Sequence, residues 1–160
     1  MDLRPHHVAL SVASVEASKS FYARLGFKPY STWVAADESF RIATLQHATG
    51  LMLELFEYHE NRDKPPVTYS IGNDLEVRGL KHLALRVANV QSSRETLIKA
   101  GYKDLTEIAH AEIDYFFIRD PDGLWVELVQ DDRGPHEAAA TSCCGLPVPH
   151  DVARRRQETL

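Results

Sequence analysis

The sequence predicts an α+β chain made of two copies of a βαβββ module, and three observations carry that expectation. Two stretches, His7-Val8-Ala9-Leu10 and His82-Leu83-Ala84-Leu85, open on histidine and read almost alike. Aligning residues 7–28 with 82–103 at an offset of 75 leaves nine identities in 22 positions: His7, Ala9, Leu10, Val12, Ala13, Val15, Ser18, Gly26 and Lys28. The stretches that end the halves, Leu53-Glu54-Leu55 and Val126-Glu127-Leu128, align at an offset of 73. Self-similarity of this kind marks a duplicated supersecondary unit, and a two-residue slip between its ends is a difference in loop length.

Each element follows from local pattern. Val8, Leu10 and Val12 alternate with Ala9 and Ser11, the period of a half-buried strand. Ser14 and its counterpart Asn89 stand where a helix N-cap belongs, with side chains able to accept from the first turn's free N–H groups. Val15, Ser18, Phe21, Tyr22 and Leu25 recur at helical spacing, and Gly26 and Gly101 close the two helices. Three strands are then expected in each half, at about 28–34, 40–46 and 51–58, and at about 103–109, 114–119 and 124–130. Asp120-Pro121-Asp122-Gly123 is a turn signal between the last two. Residues 1–131 thus read as one domain, with module one at 5–58, a polar Pro-rich linker at 59–79 and module two at 80–131. Residues 132–160 read as a C-terminal tail.

Composition narrows the function classes. The chain has 160 residues, 44% hydrophobic and 26% charged, with a formal net charge of −5, as in ordinary globular domains. That charge argues against nucleic acid as a partner, because phosphate neutralisation needs clustered Lys and Arg. The only basic run is Arg154-Arg155-Arg156. No apolar stretch approaches membrane-spanning length, and the opening Met1-Asp2-Leu3-Arg4-Pro5 lacks the apolar run of a signal peptide. The two cysteines, Cys143 and Cys144, are adjacent and cannot staple distant parts of the fold, which fits a reducing, cytoplasmic setting.

Strand parity selects the chemistry. His7, Ala9 and Ser11 share one face, and His6, Val8, Leu10 and Val12 the other, apolar face that packs on the helix. Met52, Glu54, Phe56 and Tyr58 oppose Leu51, Leu53 and Leu55, while Trp125 and Glu127 oppose Leu124, Val126 and Leu128. His7, Glu54, His82 and Glu127 therefore all emerge on the side away from the helices, with small Ala9 and Ala84 beside the histidines. A mid-strand carboxylate flanked by leucines is costly to bury alone, and it occurs twice at equivalent places. Two imidazoles and two carboxylates suit a divalent first-row ion such as Ni, Zn, Co, Mn or Fe. A metal site is accordingly expected on that face.

The stretches His7-Val8-Ala9-Leu10-Ser11-Val12, Phe21-Tyr22, Leu25-Gly26-Phe27, Leu53-Glu54-Leu55-Phe56, His82-Leu83-Ala84-Leu85-Arg86-Val87 and Asp120 through Leu128 resemble the vicinal oxygen chelate superfamily. Its members include glyoxalase I, methylmalonyl-CoA epimerase, extradiol dioxygenases and the fosfomycin and bleomycin resistance proteins. The resemblance covers about residues 5–131 and implies paired βαβββ modules forming a curled mixed β-sheet around a metal site, often in a homodimer. The His, Glu, His, Glu set at positions 7, 54, 82 and 127 matches bacterial-type glyoxalase I.

What the resemblance implies is a lyase or isomerase acting on the hemithioacetal of a 2-oxoaldehyde, with glutathione or another thiol as co-substrate. A metal-stabilised enediolate forms in such a reaction, and a carboxylate moves the proton between adjacent carbons. Glu127 is the favoured base and Glu54 its near-symmetric partner. Trp125, Phe56, Tyr115 and Phe117 are candidates for an apolar pocket, and Arg86, Arg41 and Arg119 for holding a substrate carboxylate. Three alternatives stand beside this reading: an acyl-CoA epimerase, an extradiol-type Fe(II) dioxygenase using His7, His82 and Glu127, and a non-enzymatic ligand-sequestering resistance protein. The sequence leaves open whether the four ligands meet within one chain or across a dimer.

Overall fold

The computed structural model describes residues 5–62 and 70–133. The chain order is β1 (His7–Ser11), α1 (Val15–Ala23), β2 (Phe27–Val34), β3 (Phe40–His47), β4 (Met52–Tyr58), α2 (Ile71–Leu75), β5 (His82–Arg86), α3 (Val90–Lys99), β6 (Ala109–His110), β7 (Asp114–Arg119) and β8 (Trp125–Gln130). Two four-stranded mixed sheets result, ordered β1-β4-β3-β2 and β5-β8-β7-β6. The expected α+β duplication is present. In each half the first strand pairs in parallel with the last, setting Ala9 beside Glu54 and Ala84 beside Glu127.

The helix starts follow the caps. Ser14 accepts from the Ala17 N–H and Asn89 from the Ser92 N–H, each satisfying an orphan donor of a first turn. A second cap was not legible from the helix sequence. Glu57 accepts from the Val15 N–H, and Gln130, its repeat equivalent, accepts from the Val90 N–H at 3.1 Å. The side chain three residues beyond each mid-strand glutamate thus ties that strand to its helix. Burial pushes the Glu57 carboxyl up, but the hydrogen bonds from Arg41 and Val15 outweigh it and hold it below its usual range. After α1, Gly26 takes a φ of +91°, which favours glycine, and a Cβ there would lie 2.9 Å from His47 Nε2 and displace that ring.

Both modules contribute to one core: Val12, Tyr22, Leu53 and Leu55 join Val90, Phe116, Ile118 and Val126. The turn before β8 clasps the first module across this seam. Tyr22 donates from its hydroxyl to Asp120 Oδ2 at 2.9 Å, and the Ala13 N–H donates to Asp122 Oδ1 at 2.8 Å. Asp120 Oδ1 also accepts from the N–H groups of Leu124 at 2.7 Å and Asp122 at 3.0 Å.

Two elements depart from expectation. The strand predicted at about 103–109 shrinks to Ala109–His110, with a single bridge from Leu105 to Ile118. Local side chains take over the ladder there: Thr106 Oγ1 accepts the Phe117 N–H at 2.9 Å, and Arg94 Nε donates to the Thr106 carbonyl at 2.9 Å. The expected linker holds a short helix, α2, whose N-cap Ser70 accepts from the Asn73 N–H. The expected tail beyond residue 133, with Cys143 and Cys144, lies outside the described residues. Among the described residues no helix is long and apolar enough to cross a membrane.

Candidate metal centre

The sheet faces separate as parity predicts. Leu53 and Leu55 are fully buried against the helices, while Glu54 between them turns to the other face. There its Oε2 lies 3.5 Å from His7 Nε2. In the second module Glu127 Oε2 lies 3.1 Å from His82 Nε2. The second pair is the more enclosed, with side-chain exposures of 29% and 14% against 39% and 27% in the first.

These spacings permit a direct test of fit to a cation. Two donors at about 2.0–2.2 Å from a common ion stand about 3 to 3.4 Å apart for tetrahedral or octahedral angles. Each His–Glu pair therefore spans close to one edge of such a polyhedron, and its N/O donor chemistry suits a divalent first-row ion. Each pair also has an imidazole nitrogen on its far side. His7 Nδ1 lies 2.8 Å from His6 Nδ1, so one donates and the other accepts, leaving His7 Nε2 turned to Glu54. His82 Nδ1 is buried without a partner among the described residues, as is Trp125 Nε1 on the neighbouring strand.

The structure brings the four residues together as two pairs. Among the described residues no cluster of three or more His, Cys, Asp or Glu side chains forms a cation site. Strands β1 and β5, which carry the histidines, are each an outer strand of their sheet. Parity assigns His6 to the helix face, but His6 precedes β1 and its exposed ring reaches His7; position one residue before a candidate ligand was the signal available.

The aromatic candidates divide between the modules. Phe117 lies 5.4 Å from His82 and 5.9 Å from Trp125 in edge-to-face contacts, and Tyr115 lies 5.6 Å from Phe117. Phe56 belongs to the first module, on the strand of Glu54. The arginines divide as well. Arg41 donates to both oxygens of Glu57, at 3.0 and 2.8 Å, which holds it at the helix side, away from the His–Glu face. Arg119 stacks 3.9 Å over Trp125 and lies 3.4 Å from Asp104. Arg86 lies 3.6 Å from Asp131.

Fold and site together define a duplicated βαβββ protein with one His–Glu pair on the open face of each sheet. The Glyoxalase/Bleomycin resistance protein/Dioxygenase superfamily pattern matches residues 4–128, and the chain belongs to that superfamily. Over 146 residues it is 27% identical to a lactoylglutathione lyase of Pseudomonas putida, covering 78% of this chain and 83% of the relative. A lactoylglutathione lyase of Schizosaccharomyces pombe is 25% identical over 138 residues, covering 81% of this chain, which spans only 45% of that relative's length. In fold it is similar to the glyoxalase family protein of Enterococcus faecalis, with a TM-score of 0.65 and 24% identity over 79% of this chain and 97% of that one.

Proposed function

We propose that this chain is a metal-dependent isomerising lyase of the glyoxalase I type, converting the hemithioacetal of a 2-oxoaldehyde into a 2-hydroxyacyl thioester. The observation that carries the reading is the occurrence, in both modules, of a mid-strand glutamate within 3.1–3.5 Å of an imidazole Nε2 on the open face. An oxygenase needs only three ligands, so a second carboxylate at the repeat-equivalent place favours proton transfer. His7, Glu54, His82 and Glu127 would hold a divalent ion, which when bound supplies Lewis-acid polarisation of the substrate's vicinal oxygens. Glu127 takes the proton from the thiol-bearing carbon and returns it to the neighbouring carbon; Glu54 is its counterpart. Phe117 and Trp125 beside His82 exclude water from that exchange. Glutathione or another small thiol is the co-substrate.

In this reading a second copy completes the site. Each chain carries two half-sites on separate sheets, and a two-fold dimer that sets β1 of one protomer beside β5 of the other would unite them. Mixing decides this. The variants His7→Ala and His82→Ala should each be inactive with methylglyoxal and a thiol. Unfolded and refolded together, they should regain up to about a quarter of wild-type activity, because half the dimers are mixed and each mixed dimer has one whole site. No recovery would place the site within one chain. Absence of bound metal from protein purified without chelators, with no lactoylthiol formed from methylglyoxal and any of several thiols, would remove the lyase reading itself.

A further inference from the structure

We propose that the seam between the two modules holds a binding site for a small aryl carboxylate, separate from the His–Glu pairs. A cavity of about 520 Å³ opens there, between the β3–β4 turn and the end of α1 in module one and β5 and α3 in module two. That volume suits a small molecule. Leu85 and Leu128 line it from the helix side of the second sheet, whereas His82 and Glu127 stand on the other face.

The internal repeat shows what the cavity lacks. At the offset of 73, His47, Thr49 and Leu51 are the counterparts of Asp120, Asp122 and Leu124. At the offset of 75, Thr96 and Leu97 are the counterparts of Phe21 and Tyr22. One side of the seam is clasped: Tyr22 donates to Asp120, and Asp122 accepts the Ala13 N–H. A hollow flanks that turn too, but no residue of α1 lines it, and Phe21 and Tyr22 are buried. The other side has no such clasp. Among the described residues no hydrogen bond joins the β3–β4 turn to β5 or α3, and the cavity runs under α3 to Ser93, Thr96 and Leu97. Two rings are replaced by a threonine and a leucine, so the walls lose contacts that a bound ring would restore.

The polarity of the clasp is reversed as well. Where the turn of module two offers carboxylates, that of module one offers His47 and Thr49. His47 Nδ1 accepts the Thr49 N–H at 3.2 Å, which places the proton of the neutral ring on Nε2 as a donor. Arg24 lines the same cavity; it lies 5.4 Å over the Tyr102 ring and meets no carboxylate among the described residues. No Asp or Glu is among the described residues that line the cavity, in a chain of net charge −5. The ligand therefore brings both parts that the other side already has. Its ring takes the place that Tyr22 fills there, against Leu25, Leu51, Leu85 and Leu97. Its carboxylate takes the part of Asp120, held by Arg24 and His47.

Calorimetry on the full chain, purified without chelators, tests this with 3-phenylpropionate, its amide and propionate. The aryl acid should bind with a Kd of about 0.1–1 mM, and the other two at least about tenfold more weakly. Leu97→Phe, which returns a ring to α3, should abolish binding, and Thr96→Phe makes the same test at an exposed position if Leu97→Phe fails to fold. Arg24→Gln, also exposed, should bring acid and amide close to equal affinity. His82→Ala should leave the acid's affinity within about twofold of the wild type, because the site lies apart from the candidate metal centre. Absence of saturable binding, or equal affinity for acid and amide in the wild type, would overturn the proposal. So would binding that is lost in His82→Ala yet kept in Thr96→Phe and Arg24→Gln, which would put the carboxylate at the His–Glu pairs.

Discussion

Glu127→Gln is expected to lower kcat for hemithioacetal isomerisation by about a thousandfold, the upper part of what a positioned general base contributes. The substitution keeps an oxygen donor and the side chain's volume, so the His82 pair should still take up metal at a substantial fraction of the wild-type content. Loss of turnover with retained metal separates proton transfer from metal binding. Glu54→Gln should cost less. Its pair is longer, at 3.5 Å against 3.1 Å, and more open to water, and electrostatic work is screened most where water reaches. Metal content by elemental analysis beside single-turnover rates gives the comparison. Full activity in Glu127→Gln would exclude that residue as the base.

Asp120→Ala is expected to destabilise the fold by about 3 kcal/mol, because three donors lose their acceptor inside the protein. Those donors are the Tyr22 hydroxyl and the N–H groups of Asp122 and Leu124, around a side chain with 6% exposure. For a chain of this size the Tm would fall by roughly 10 °C. Asp120→Asn should cost less, since its carbonyl oxygen keeps both backbone bonds and only the Tyr22 hydroxyl proton loses its acceptor. Burial pushes the Asp120 carboxyl up, more than its hydrogen bonds to Leu124 and Tyr22 pull it down, and it pushes the Tyr22 phenol well above its usual value. The sign for stability follows from linkage. A folded-state value above the unfolded one gives a contribution fully present below about pH 4 and lost as pH rises through the folded value. The wild type should therefore lose this contribution between acid and neutral pH, and Asp120→Asn should not. Denaturant titrations of both proteins across that range read the difference. Identical pH profiles would show that Asp120 is not the titrating group.

Much of the architecture is legible in the residues themselves because the module occurs twice. Alternation in β1 and β5, the caps Ser14 and Asn89, and the turn at Asp120–Gly123 are local signals, and each produced the expected element. The sidedness of His7, Glu54, His82 and Glu127 follows from strand parity alone. What escapes the sequence is set by tertiary context. The near-loss of β6 depends on Thr106 and Arg94 taking hydrogen bonds that a strand would have made. The contact of Trp33 with Phe40 depends on register between β2 and β3, including a shift between Pro29 and Ser31. Whether the two pairs converge depends on how whole sheets are arranged, which no spacing encodes.

The placement of each pair across β1–β4 and β5–β8 also bears on how the protein folds. Glu54 follows His7 by 47 residues and Glu127 follows His82 by 45, and in both modules the strands joining them are the first and the last. Closing that parallel pair is the step of greatest sequence separation within a module, and such contacts form late because loop entropy must be overcome first. A chain that has folded its helix and its antiparallel strands, but has not docked its first strand, holds its histidine and its glutamate apart. If the pairs hold a metal as proposed, its capture at either one would report that a module has folded to completion, and nascent or frayed chains would be kept from binding a reactive ion before they could shield it.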